Sequence, residues 1–140
     1  VDPRITIVTL GVRDLARSRR FYADGLGWRP AKGSSDDIVF FSVGAIILAL
    51  YPLDALAKDA HLDVGSGFGG ITLAQNVRTL GEVDAALAAA VAAGGKMLRP
   101  AQRVFWGGYS GYFADPDGHP WEVAHHPHWE LDDQGQVKLE

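Results

Sequence analysis

Apolar and polar positions along the chain fall into short alternating runs separated by longer helical ones. Ile5–Val12 ("ITIVTLGV") is rich in β-branched residues and alternates roughly in phase, which predicts a strand. Asp14 follows as a helix cap, because its carboxylate can accept the free backbone N–H groups of a first turn. Leu15, Ser18, Phe21, Tyr22 and Leu26 then recur at helical spacing, and Gly25 and Gly27 end the run. "WRPAK" predicts a short strand, and "DDIVFFSV" and "AIILALY" predict a hairpin around Gly44. The order is βαβββ.

The same order returns in the second half. "GITLAQNV" (Gly70–Val77) matches Ile5–Val12, and Thr79 stands where Asp14 stood. Thr79 and Glu82 form a capping box in which each satisfies the other's end of the helix. Leu80, Val83, Leu87 and Val91 make the apolar face of that helix, and Gly94-Gly95 end it. "KML", "GGYSGYFAD" and "PWEVAH" are the next strands, with "DPDG" (Asp115–Gly118) as the turn between the last two. The expectation is an α+β fold: one domain, 1–140, made of two βαβββ modules at about 4–53 and 70–127, a linker at 54–69, and a C-terminal tail at 128–140. Each module places one helix behind one sheet. The other faces should curl into half-barrel cups able to hold a small ligand.

Composition narrows the function classes. The 140 residues suffice for a real core, and 47% are hydrophobic. A net charge of -4 gives no basic footprint, so no nucleic-acid partner is expected. There is no cysteine, which removes disulfides, thiolate catalysis and cysteine zinc sites together. Ser42 and Gly44 break the longest apolar run, so no membrane span is expected, and a cytoplasmic location is favoured.

Chemistry-bearing residues crowd into "YFADPDGHPWEVAHHPHW" (112–129), which holds four of the five histidines. Asp115 and Asp117 are assigned to the turn. On an extended strand His126 would lie about 13 Å from Glu122, too far to share an ion without a bend. His125, His126 and His128 are therefore assigned to a surface tail or a subunit contact, and His119 to the solvent side of the turn. Alternation puts Trp121 and Val123 on one side and Glu122 on the other, facing away from the helix. Glu122 is the residue expected to act, either as general base or as a hydrogen-bond anchor, with Arg103 as a possible ion-pair partner. Gly107 and Gly108 allow Trp106 and Tyr109 to fold over the site's mouth. Thr9, Thr72 and Asn76 share the phase of the inward positions and could donate hydrogen bonds.

Two stretches carry a family resemblance, Leu10–Trp28 ("LGVRDLARSRRFYADGLGW") and Gly111–Pro127 ("GYFADPDGHPWEVAHHP"). With the paired βαβββ order, they resemble the vicinal oxygen chelate superfamily: glyoxalase I, extradiol dioxygenases, and fosfomycin- and bleomycin-resistance proteins. The resemblance implies a divalent metal held by His and Glu side chains from the first and last strands of each module. Carried onto this chain, those positions are Ile7, Thr72 (or Gly70), Leu48 and Glu122. Three of the four carry no strong metal ligand, so the expectation is no metal and no other cofactor. Ile7 and Leu48 become lining residues instead. The resemblance also implies a homodimer. The function expected is metal-free binding that sequesters an apolar or aromatic small molecule, as in the bleomycin-resistance branch. The alternative is a lyase, isomerase or dioxygenase using Glu122 as base or in a degenerate metal site.

Overall fold

The computed structural model describes Val1–Leu139, and these residues divide into two compact units, the first Val1–Gly69 and the second from Gly70 onward. The first unit runs β1 (Ile7–Val12), α1 (Leu15–Arg19) with a π-helical continuation (Arg20–Gly25), β2 (Val39–Val43), β3 (Ile46–Pro52) and α2 (Leu53–Ala60). Its sheet has the order β1-β3-β2, with β1 and β3 parallel and β2 and β3 antiparallel.

The helix begins where the sequence places it: Asp14 Oδ1 accepts from the Arg17 backbone N–H at 3.0 Å. The π turn was not expected. Its wider winding lets two consecutive residues, Phe21 and Tyr22, both point inward and become fully buried. The Leu26 N–H reaches back to the Phe21 carbonyl at 2.9 Å. Tyr22 packs on Phe41 and Trp28, with ring centroids 6.0 and 5.3 Å apart. Register places Val8, Leu10, Leu48, Leu50, Val39 and Phe41 on that same face, which is the core of this unit.

Two expectations are corrected here. "WRPAK" forms only an isolated bridge between Pro30 and Phe41, so this unit has three strands rather than four. The segment expected as a linker begins with helix α2, which packs on β1 and β3. An added Cβ at Gly11 would lie 2.6 Å from Leu53 Cδ1 and 3.3 Å from Leu56 Cδ2. Glycine at position 11 is therefore what lets α2 approach the sheet on the face away from α1. His61 caps α2 with φ 57°, a left-handed conformation more often given to glycine.

The second unit runs β4 (Leu73–Asn76), α3 (Leu80–Ala92), β5 (Lys96–Arg103), β6 (Tyr109–Ala114) and β7 (Pro120–His125), and ends in a hairpin of β8 (Glu130–Leu131) and β9 (Val137–Lys138). The main sheet has the order β4-β7-β6-β5, with β4 and β7 parallel and the rest antiparallel. Val83, Leu87 and Ala90 are the buried stripe of α3, facing Phe113 and Val123. Leu80 and Val91, expected on that stripe, are exposed.

The cap of α3 also differs in detail. Thr79 Oγ1 accepts from Glu82 N–H at 3.1 Å, but the Glu82 carboxylate accepts from Arg78 N–H at 2.8 Å, one residue before the cap. Arg78 also donates from its guanidinium to the Leu131 and Asp132 carbonyls. That tie holds the β8–β9 hairpin, where only a tail was expected. The DPDG turn is as read: Asp115, 3% exposed, accepts from the backbone N–H of Asp117 and His119, each at 2.9 Å. No described helix is long and apolar enough to cross a membrane.

Candidate functional site

The face of the second sheet turned away from α3 carries the chemistry. In antiparallel and parallel ladders alike, paired residues point to the same side. Glu122 pairs with Tyr112 on β6 and with Ala74 on β4, and Ala124 pairs with Ser110 and Asn76. Phe113, Val123 and Gly111 point the other way, toward α3. An added Cβ on Gly111 would come within 2.5 Å of Leu87 Cδ1. Glu122 therefore occupies the side read from alternation, and Asn76 shares it.

Beside Glu122 lies a polar group that the sequence reading did not name. The Tyr112 phenol lies opposite Glu122 in the ladder, close enough to feel its carboxylate. Arg99, opposite Tyr112 on β5, holds its guanidinium carbon 5.2 Å from the centre of the Tyr112 ring. Arg99 Nη2 donates to Ser110 Oγ at 2.8 Å, and Ser110 is 1% exposed. Arg99 Nη1 is closed off from solvent and has no hydrogen-bond acceptor. The phenol of Tyr112 is held above its ordinary pKa. Burial disfavours its anion, and the adjacent Glu122 charge adds to this, while Arg99 pulls the other way.

Arg99 reaches this face because β5 is irregular. Met97 pairs with Phe113, yet Arg99 pairs with Tyr112, so one residue is extra between them. Simple alternation would put Arg99 beside Met97 on the helix side; the bulge turns it over. A second irregularity follows between Arg99 and Gln102. The signal in the sequence was Pro100, which cannot donate to a ladder and marks an edge strand or a bulge. Arg103, the basic partner expected for Glu122, instead pairs with Tyr109.

Trp106 lies in the β5–β6 turn with its ring folded over Gly108. A Cβ there would lie 1.7 Å from the indole Cζ3. The Trp106 ring stacks on His126 at 4.8 Å and 22°, and His126 stacks on Trp129 at 4.5 Å and 4°. Val104 N–H donates to the Gly108 carbonyl, so the ladder pleat extends to Gly108, in phase with Ser110 and Tyr112. The aromatic stack thus continues the Glu122 face, at its far end from the DPDG turn. This gives His126 a packed role in place of the free tail position expected.

Tyr109 does not join it. It lies on the helix side, where its hydroxyl donates to Asp84 Oδ1 at 2.8 Å. The expectation that it covers the site is corrected by β6 register. Leu48 is corrected likewise: it is 2% exposed and shares the core face with Phe41, while Ile47 and Ala49 pair with Ile7 and Thr9. Ile7 and Thr9 are exposed on the side of β1 away from that core, and Thr72 is exposed just before β4.

The metal implied by the resemblance does not fit these side chains. Of the four implied positions only Glu122 bears a strong ligand, and its sheet face carries a guanidinium. Among the described residues no three His, Asp or Glu side chains group as a metal-ligand set.

The two units, each a sheet backed by a helix, make this an α+β protein of the glyoxalase-like class. A profile of the glyoxalase/bleomycin resistance protein/dioxygenase superfamily matches residues 4–123. The chain belongs to that superfamily. A solved structure of a glyoxalase-related enzyme from Fulvimarina pelagi is 40% identical, with 98% of each chain covered and a TM-score of 0.90. A glyoxalase/bleomycin resistance protein from Albidiferax ferrireducens T118 is 26% identical over 88% of this chain and 98% of its own, with a TM-score of 0.66. A lactoylglutathione lyase from Agrobacterium tumefaciens shares the fold at 23% identity, covering 89% of this chain and 94% of its own, with a TM-score of 0.66. No curated protein sequence matches the chain.

Proposed function

We propose that the protein is a metal-independent small-molecule binder of the glyoxalase/bleomycin-resistance type, taking an apolar or aromatic ligand on the sheet face that carries Glu122. The observation that supports this is the shared face itself. A polar group of Arg99, Ser110, Tyr112 and Glu122 lies at one level of the sheet, and the Trp106–His126–Trp129 stack lies about two pleats, or 13 Å, along it. Flat apolar ligands suit the second, and a few directed hydrogen bonds at the first fix their orientation. Titration of the tryptophan emission with the neutral probe 1-naphthylmethanol should give saturable quenching, unchanged by EDTA. Absence of quenching, or stoichiometric Zn, Ni, Fe or Mn in protein purified without chelators, refutes the proposal.

The 40% identity to a glyoxalase-related enzyme favours a second reading, turnover with Glu122 as general base. In that case Glu122→Gln abolishes turnover of a bound carbon acid, whereas a pure binder shows none to abolish. The homodimer belongs to the same proposal, and a monomeric mass by light scattering at micromolar protein refutes it.

A further inference from the structure

We infer that the ligand of this site is an acid, an aromatic or apolar molecule bearing a carboxylate or similar anionic oxygen group, and that Arg99 is the residue that selects it. The inference rests on the binding reading above and adds the chemical class.

Arg99 is placed with unusual definition for a long cationic side chain. The β5 bulge turns it onto the Glu122 face, Ser110 takes one nitrogen, and the Tyr112 ring lies against the guanidinium. Each contact removes rotamer freedom before any ligand arrives. Its remaining terminal nitrogen, Nη1, is out of reach of water and has no acceptor. No ion pair to Arg99 occurs among the described residues.

A half-buried guanidinium without an ion-pair partner, and an enclosed N–H without an acceptor, both raise the free energy of the site. An anionic oxygen placed on Nη1 relieves both at once, and a planar guanidinium is well shaped to hold it. The neighbouring Glu122 carboxylate does not serve as that oxygen, since it makes no hydrogen bond or ion pair with Arg99. On the same face, Ser110 and Ala124, both with small side chains, lie between Arg99 and the Trp106 ring. A carboxylate head with a flat body fits that run.

The experiment compares two probes of nearly equal shape, 1-naphthoate and neutral 1-naphthylmethanol, by tryptophan quenching on the full chain. The expected result is about tenfold or tighter binding of the acid, the range for a hydrogen bond to a charged group. Arg99→Gln should bring the acid down to the affinity of the neutral probe, and Arg99→Lys, which keeps the charge, should retain part of the preference. Equal binding of the two probes by the native protein overturns the acid class and leaves the binding reading standing. Binding of neither overturns both. A folded Arg99→Gln protein, checked by circular dichroism, that still prefers the acid overturns the role of Arg99. If that variant does not fold, an Arg99→Lys protein that keeps the full acid preference of the native chain overturns it instead.

Discussion

Replacing Gly108 by alanine tests the aromatic end of the site. The new Cβ would lie 1.7, 2.2 and 2.6 Å from three atoms of the Trp106 ring. Ordinary carbon contacts are about 3.5–4.0 Å, so the ring must move by roughly 2 Å. A stack with 4.8 Å between centroids does not survive that shift. An aromatic pair contributes about 0.5–1.5 kcal/mol beyond the area it buries. Re-exposing part of a half-buried indole adds on the order of 1–2 kcal/mol at about 25 cal/mol per Å². Against this, Gly108 does not have a positive φ, so alanine recovers about 0.4–1 kcal/mol by restricting the unfolded chain.

The net expectation is a loss of about 1–2 kcal/mol, read from urea unfolding by circular dichroism, with a shift in tryptophan emission as the indole enters water. The control is a double-mutant cycle. With Trp106→Ala already in place nothing is left to displace, and Gly108→Ala should then be neutral or slightly stabilising. A Gly108→Ala protein within about 0.3 kcal/mol of the native one, with unchanged emission, would show that the ring is not seated on Gly108.

Gly111→Ala should cost about 1–3 kcal/mol, because its Cβ would lie 2.9 Å from Ala101 N and 3.0 Å from Arg99 O, backbone that cannot swing aside. An unchanged urea midpoint would refute the close packing of α3 and β5 on that position. Asp115→Ala should cost about 2–4 kcal/mol, since two backbone N–H groups lose a buried carboxylate acceptor. Asp115→Asn, which keeps an acceptor oxygen, should recover part of it, and equal loss in both would point to the charge alone. Tyr112 holds its proton more tightly folded than unfolded, so its contribution is complete below pH of about 10 and is lost as pH rises beyond that. Tyr112→Phe should flatten the fall in stability above about pH 10 without abolishing it, because Tyr109 is shifted in the same direction by its bond to Asp84. A fall as steep in the variant as in the native protein would remove Tyr112 from the account.

The sequence by itself determined what local physics controls. Alternation in Ile5–Val12 and Pro120–His125, the caps at Asp14 and Thr79, and the turns at Gly44 and Asp115–Gly118 each depend on a few neighbouring residues, so a short window displays them. Glu122 was legible for the same reason, because β7 is regular and alternation alone fixes its side. The tertiary structure decided the rest. One bulged residue in β5 reverses the facing of Arg99, and no period-two reading can register that without the partner strand. Tyr109 and Leu48 went to the opposite faces from those expected because cross-strand pairing, not aromatic or family analogy, sets the side. The π turn at Arg20–Gly25 and the approach of α2 to Gly11 arise from packing between segments distant in sequence. The stack of Trp106 on His126 joins residues twenty positions apart. Short-range preference makes the strands and helices, but a site is assembled from contacts across them, and those energies exist only once the sheet has closed its register.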